Sequence, residues 1–131
     1  MRKTILMMLL AVVSSSAAAE WVGVVFNERV TVTVYADPAT IRRSGDIVQM
    51  WDLFDFKAPQ VAEGLKYMSR MSQQEYDCKE DRTRVLFLLI YAGNMGSGGL
   101  VKKGPTPSIE WEPNPPGSIR KGLWEFACEK R

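Results

Sequence analysis

The feature that most limits the fold is a pair of cysteines, Cys78 and Cys128, the only two in the 131-residue chain. They allow one intramolecular disulfide, which would hold the C-terminal segment against the middle of the chain. Closing a loop of this length would stabilise the folded state by on the order of 4 kcal/mol. Disulfides persist outside the cytoplasm, so the prediction depends on export. The alternatives are two free thiols or a bridge between two chains.

Residues 1–19 have the pattern of a secretory signal peptide. A basic pair follows Met1, an apolar stretch covers residues 5–13, and alanines at 17–19 provide the small residues that signal peptidase requires. A membrane anchor is the alternative, but it needs roughly 20 apolar residues, and three serines end this stretch too early. We therefore expect cleavage after residue 19, export to the periplasm or the cell surface, and no transmembrane segment in the mature chain.

The mature chain, residues 20–131, is expected to form a single domain without an N-terminal lipid anchor, because no cysteine follows the apolar stretch. Its 112 residues suffice for one hydrophobic core. The full chain has 17 basic and 15 acidic residues, and both excess positive charges lie in the signal segment. A mature domain with zero net charge lacks the basic surface typical of nucleic-acid-binding proteins, so no nucleic-acid partner is expected.

Strand-forming segments dominate the mature chain. Runs rich in β-branched and aromatic residues predict six strands, at residues 21–26, 30–35, 47–56, 67–78, 82–91 and 100–102. Tight turns are predicted at residues 27–28, 44–46 and 79–81. Pro38 is expected to end the second strand because proline lacks a backbone N–H group. Residues 57–66, with Pro59 and Gly64, are expected to form a loop.

The C-terminal part of the chain changes character. Glycine-rich residues 93–99 and proline-rich residues 104–117 are expected to be irregular. Ser118 is a suitable N-cap for a helix. Behind it, apolar residues recur at helical spacing, at Ile119, Leu123, Phe126 and Ala127. The disulfide would then connect this helix to the end of the fourth strand.

The fifth strand predicts a sheet that is apolar on both faces. Side chains alternate along a strand, which would place Val85, Phe87, Leu89 and Tyr91 on one face and Leu86, Leu88 and Ile90 on the other. The third strand is similar, with Trp51 and Leu53 opposite Met50, Phe54 and Phe56. Because one helix covers one face only, we expect the segment around Trp111 to cover part of the second face. A partner subunit, in a homodimer, would cover more of it.

The chain contains no histidine, which excludes Ser-His-Asp and Cys-His catalysis and the commonest metal ligand. With both cysteines oxidised, no catalytic residue, cofactor or metal site is predicted. Carboxylates are the remaining route to an enzyme. Asp52 and Asp55 would lie on opposite faces of the third strand. Glu75 and Asp77 share a face at a hairpin end, where a solvated charged pair is expected.

Two further patterns have both structural and functional interpretations. Residues 93–96 are similar to a phosphate-binding loop, but no helix begins after them, so a turn in which glycine adopts positive φ is predicted. The basic pairs Arg42-Arg43 and Lys102-Lys103 are expected to be solvated. The alternative is contact with acidic or sulfated host or envelope polymers.

Seven sequence blocks carry a resemblance to a known family. In chain order they are DPATIRR at 37–43, WDLFDF at 51–56, EYDC at 75–78, YAGNMG at 91–96, WEP at 111–113, PGS at 116–118 and FAC at 126–128. With both cysteines, this ordered set resembles the surface-adhesin protein E family of Gram-negative bacteria over essentially the whole mature chain. The resemblance implies an α+β, mainly β fold, in which a roughly six-stranded antiparallel sheet carries a C-terminal α-helix tied to it by the disulfide.

The resemblance also implies a function. It points to an exported, non-enzymatic binding module whose partners are host extracellular-matrix or serum proteins, and which can form a homodimer. It assigns no ligand-binding residue in this sequence. The first alternative is a soluble periplasmic protein with a cell-envelope role and no adhesive activity. The second, less favoured, is an enzyme that depends on carboxylates.

Overall fold

The computed structural model describes residues 20–24, 31–106 and 110–129. In this part of the chain, six antiparallel strands pair in chain order, and a short seventh strand pairs with the fifth. The elements are β1 (Val22–Gly23), β2 (Val32–Ser44), β3 (Ile47–Ala62), β4 (Leu65–Asp77), β5 (Arg82–Tyr91), β6 (Leu100–Pro105), β7 (Glu112–Pro113) and α1 (Ile119–Glu129). The predicted fold class is confirmed. The predicted signal segment and the turn at residues 27–28 lie outside the described residues.

One face of the sheet, the helix face, packs against α1. Leu123 and Ala127 of the helix are buried against side chains that alternate along β2, β3 and β4, namely Val34, Ala36, Val48, Met50, Phe54 and Tyr76. The opposite side is called the open face. Burying a side chain such as Leu123 stabilises the fold by about 1.5–3 kcal/mol, so this cluster is the main hydrophobic core.

The helix is attached to the sheet toward its C-terminus and is capped at its N-terminus. The predicted disulfide is present: Cys78 directly follows β4, Cys128 lies in α1, and their Cα atoms are 5.6 Å apart. Trp124 also donates a hydrogen bond from its indole nitrogen to the Asp77 carbonyl, at 2.8 Å. At the N-terminus, the Ser118 hydroxyl accepts a hydrogen bond from the Lys121 backbone N–H at 3.1 Å, which confirms the predicted N-cap.

The prediction that Pro38 ends the second strand is wrong. β2 continues to Ser44, and its register with β3 shifts between Asp37 and Arg42. Within this bulge, Asp37 Oδ1 accepts a hydrogen bond from the Ala39 N–H, and the Thr40 hydroxyl donates to the Asp37 carbonyl and accepts from the Trp51 N–H. The missing N–H of Pro38 costs nothing here because it lies in the bulge and not in the ladder.

The prediction of a loop at residues 57–66 is also wrong. β3 runs to Ala62, β4 begins at Leu65, and only Glu63 and Gly64 turn, both with positive φ. Pro59 again lies within a register shift, between Asp55 and Gln60. The last pair of β4 with β5 is at Ser69. Residues 57–68 therefore extend past β5 as a two-stranded ribbon, which we call the hairpin arm.

The predicted faces of β5 need one correction. Gln73 pairs with Phe87, but Gln74 pairs with Val85, so Leu86 is the extra residue of a β-bulge. Paired residues share a face, and the bulge therefore turns Val85 to the helix face with Leu88 and Ile90. Phe87, Leu89 and Tyr91 stay on the open face. β6 is longer than predicted because it runs to Pro105, and β7 lies in the segment predicted to be irregular.

Candidate binding surface

A glycine-rich loop covers one end of the open face. Residues 93–99, the glycine loop, contain a short 3-10 turn at Asn94–Gly96, and no α-helix follows them. Gly96 and Gly98 have φ of 70° and 76°, which confirms the predicted glycine turn. The loop lies over β3 and β4, and Leu53 is fully buried on this side of the sheet.

Polar side chains of the sheet hold the glycine loop in place. Asp55 Oδ1 accepts hydrogen bonds from the Asn94 side chain at 3.0 Å and from the Met95 N–H at 2.8 Å. The Ser69 hydroxyl donates to the Gly93 carbonyl at 2.6 Å and accepts from the Gly96 N–H at 2.9 Å. The loop is therefore fixed by side-chain contacts to its backbone, and the Asp55 carboxylate has a structural role.

The segment before β7 covers the other end of the open face. The ring of Trp111 lies over two guanidinium groups, 4.5 Å from Arg84 and 4.8 Å from Arg82. These arginines form ion pairs with Glu75 and Asp77 respectively. The expectation that the region around Trp111 covers part of the second face holds for this charged end. In the centre of the face, Trp51 meets Phe87 edge to face, with ring centroids 6.4 Å apart.

The prediction that Glu75 and Asp77 form a solvated pair is wrong. The side chains of Asp77 and Glu75 are only 7% and 12% exposed, because each is covered by its arginine. Burial alone would raise the pKa of Asp77. Hydrogen bonds from Arg82 and from the N–H groups of Glu80 and Lys79 outweigh it, so the pKa lies below its ordinary value. Both carboxylates stabilise the β4–β5 hairpin.

Asp52 and Asp55 lie on opposite faces, as predicted. Asp52 pairs with Ser72 on the helix face and is fully buried, and its Oδ2 accepts a hydrogen bond from the Gln74 side chain. Burial raises the pKa of Asp52 to about 7, although Gln74, Arg70 and Ser72 partly offset it. In the described parts of the chain, no three His, Cys, Asp or Glu side chains lie close enough to bind a metal ion.

The basic pairs Arg42-Arg43 and Lys102-Lys103 lie far apart, and one member of each pair contacts other protein groups. β2 and β6 are separated in the sheet by β3, β4 and β5, so the pairs cannot form one patch. Arg42 donates hydrogen bonds to the carbonyls of Ala39 and Ile41. Lys102 reaches the tip of the hairpin arm, where its Nζ lies 3.1 Å from Glu63 Oε1.

Exposed apolar side chains concentrate at the end of the sheet that carries the hairpin arm and the glycine loop. Among the described residues, five large hydrophobic side chains are exposed, and four of them lie at this end. We call these four the apolar end: Val61 (66% exposed), Leu65 (53%), Met95 (43%) and Leu100 (46%). The fifth, Val22, lies in β1 at the opposite edge of the sheet. Clustered exposed hydrophobic residues are typical of protein-binding sites.

The free edges of the sheet are less suited to binding. β6 carries Lys102, Lys103 and Pro105, residue types that block addition of a further strand. β1 is only two residues long. Contact through the side chains of the apolar end is therefore favoured over strand addition.

The apolar end was not predicted from the sequence. Val61 and Leu65 fall in the segment expected to be a loop, and Met95 and Leu100 lie 30 to 39 positions further along the chain. The one available signal was their type, since apolar residues beside glycine and proline are candidates for exposed loops. Their convergence depends on the length of β3 and β4 and on the fold of the glycine loop.

Comparison with known proteins places this geometry in a family. A solved structure of Haemophilus influenzae protein E superimposes with a TM-score of 0.58 and 12% identity, over 82% of this chain and 83% of that one. A second structure of that protein, from crystal form II, superimposes with a TM-score of 0.57 and 11% identity, over 85% of this chain and 97% of that one. These matches establish the shared fold. No curated protein sequence matches this chain.

Among the residues described, no helix is long and apolar enough to cross a membrane. A sequence model of the family described as surface-adhesin protein E matches residues 21–129. This range includes every strand and the helix described above, together with both cysteines. The chain therefore belongs to the surface-adhesin protein E family.

Proposed function

We propose that this chain is an exported, non-enzymatic protein-binding module that contacts host extracellular-matrix or serum proteins through its apolar end. The observation that carries the proposal is the concentration of four exposed apolar side chains at one end of the sheet. Leaving such side chains in water is unfavourable, and a partner surface that buries them would gain binding free energy.

The apolar end is well suited to binding because its backbone is held in place. Met95 has φ of 54°, a conformation that non-glycine residues rarely adopt. The hydrogen bond from its N–H to Asp55 keeps its side chain presented at the surface. The Lys102–Glu63 ion pair links the tip of the hairpin arm to β6. A preformed surface loses less conformational entropy on binding than a mobile one.

Export is supported by two features of different kinds. The composition of residues 1–19 is that of a cleavable signal peptide. The Cys78–Cys128 disulfide requires an oxidising compartment to persist. A non-enzymatic role is supported by the carboxylates, since Asp55 holds the glycine loop and Asp77 and Glu75 pair with arginines.

Surface plasmon resonance against immobilised laminin, vitronectin and plasminogen tests the proposal. Val61→Ser and Leu65→Ser should each weaken binding about tenfold, as expected for loss of an apolar contact in an interface. Val22→Ser is the matched control, an exposed apolar residue at the opposite edge, and should bind like the wild type.

Two results would contradict the proposal. Equal binding by the wild type and both arm variants would show that the apolar end is not the contact. Absence of binding to all the matrix and serum proteins, with the protein protected from protease on intact cells, would favour the periplasmic alternative. Digestion of the protein on intact cells would support display at the surface.

A further inference from the structure

A cavity lies between α1 and the sheet, apart from the apolar end. Its volume is about 480 Å³, which is within the range of small-molecule sites in proteins. The residues that the sheet contributes to the hydrophobic core come from β2 and β3, and β4 contributes only Tyr76. The helix is therefore closely packed on the β2–β3 side, and the cavity opens on the β4–β5 side.

The sequence of β4 and the bulge of β5 explain the shape of the cavity. On β4, Ser72 and Gln74 face the cavity beside Arg70, and both are shorter or more polar than typical core residues. On β5 the bulge at Leu86 turns Val85 toward the helix, so that Val85 and Leu88 form an apolar wall. Leu123 of α1 lies on the opposite side.

The charges around the cavity all have one sign. Among the described residues, two ionisable side chains line it, Arg70 and Arg120, and no carboxylate does. Arg120 is paired with Glu112, with 3.0 Å between nitrogen and oxygen. Arg70 forms no ion pair with any described residue. Its guanidinium carbon lies 4.4 Å from the centre of the Phe54 ring, and its buried Nε has no hydrogen-bond partner in the described part of the chain.

Two neighbouring features make the surroundings of Arg70 favourable to an anion. Asp52 is the carboxylate that affects it electrostatically, but burial raises the pKa of Asp52 to about 7, so this carboxylate is only partly ionised at neutral pH. The N-terminus of α1 borders the cavity at Ser118 and Ile119, and the first turn of the helix contains no acidic residue. The positive end of a helix dipole favours an anion.

We propose that this cavity binds a small amphipathic carboxylate, with its head group paired to Arg70 and its apolar chain packed between Leu88 and Leu123. A carboxylate forms strong, paired hydrogen bonds with a guanidinium group, and the Arg70 guanidinium has no ion-pair partner among the described residues. The apolar wall accounts for the chain, and the absence of a lining carboxylate accounts for the sign of the head group. This site is independent of the apolar end.

Isothermal titration calorimetry of the disulfide-bonded protein with sodium octanoate tests the proposal, with 1-octanol as the neutral ligand of equal length. Octanoate should bind saturably at one site. It should bind at least about tenfold more tightly than octanol, because octanol has no carboxylate to pair with Arg70. Arg70→Gln should weaken octanoate about tenfold and leave octanol unchanged. Arg43→Gln, at an exposed arginine of β2, is the matched control and should bind octanoate like the wild type.

A second variant keeps the test decisive if Arg70→Gln fails to fold. Val85→Phe would fill the apolar part of the cavity and should weaken octanoate and octanol together. Shifts of the Leu88 and Leu123 methyl signals in nuclear magnetic resonance spectra should accompany octanoate binding. Equal affinity for octanoate and octanol, absence of saturable binding, or shifts confined to other residues would each overturn the proposal.

Discussion

The two faces of the sheet are covered in physically different ways. The helix face is covered by α1, through burial of Leu123 and Ala127 and through the Cys78–Cys128 bond. The open face is covered by the glycine loop, whose N–H groups donate hydrogen bonds to Asp55 and Ser69, and by Trp111, which lies over two arginines.

This difference separates stability from presentation. Apolar burial and a covalent bond contribute to the free energy of unfolding of the whole domain. Hydrogen bonds at an exposed loop mainly determine local order. The helix face should therefore determine whether the domain folds, and the open face should determine how the apolar end is displayed.

The largest effect is expected from the disulfide. Replacing both Cys78 and Cys128 by serine should lower the free energy of unfolding by on the order of 4 kcal/mol, because the unfolded chain regains the entropy of an open loop. Urea denaturation followed by circular dichroism measures this. The reduced wild-type protein is the control and should lose a similar amount. A loss below about 1 kcal/mol would mean that packing alone holds α1 on the sheet.

An effect of similar size, but dependent on pH, is expected from Asp52 on the helix face. Burial raises its pKa from an ordinary value near 3.8 to about 7, so the folded state holds a proton that the unfolded state has released. The free energy of unfolding should therefore fall as pH rises from about 4 to about 7. Asp52→Asn stays neutral, so its free energy of unfolding should exceed that of the wild type by on the order of 4 kcal/mol at pH 8 and match it near pH 4, because each unit of pKa shift corresponds to about 1.4 kcal/mol.

Urea denaturation at both pH values measures the Asp52 effect. Asp46→Asn is the control, since Asp46 is exposed at the turn between β2 and β3, and it should follow the wild type throughout. If Asp52→Asn is less stable than the wild type at pH 8, then the ionised carboxylate stabilises the helix face and burial does not raise the pKa of Asp52.

The smallest effect on global stability is expected on the open face. Asp55→Ala removes the acceptor for the Asn94 side chain and the Met95 N–H, and should lower the free energy of unfolding by about 1 kcal/mol or less. The local effect should be larger, because the amide hydrogens of Met95 and Gly96 lose protection from exchange. Hydrogen exchange measured by nuclear magnetic resonance tests this, with Asp46→Ala as control. If the amide hydrogen of Met95 exchanges at the same rate in Asp55→Ala as in the wild type, then Asp55 does not hold the glycine loop in place.

Some features of the fold follow directly from local sequence. β5 begins at Arg82 and ends at Tyr91 as predicted, because charged turn residues precede it and glycine follows it closely. The helix begins after Ser118, whose hydroxyl caps it. Such features depend on residues that are neighbours in the chain, so the sequence pattern predicts them well.

The candidate sites could not be predicted in the same way. Arg70 and Gln74 have no unusual sequence context, and they gain interest because they face a cavity beside Asp52. The face of Val85 depends on a bulge at Leu86, which strict alternation along β5 does not predict. Register is a property of two paired strands, and a single strand carries too little information to determine it.

The sequence by itself determined the strand-rich composition, the single permitted disulfide, the helix with its cap and the membership of a family. Only the tertiary structure decided which residues share a face and where the hairpin arm projects. It also placed the four apolar side chains of the apolar end at one end of the sheet and Arg70 in a separate cavity. The physical reason is range: propensity and capping act over a few residues, whereas register, bulges and cavities arise from packing between segments far apart in the chain.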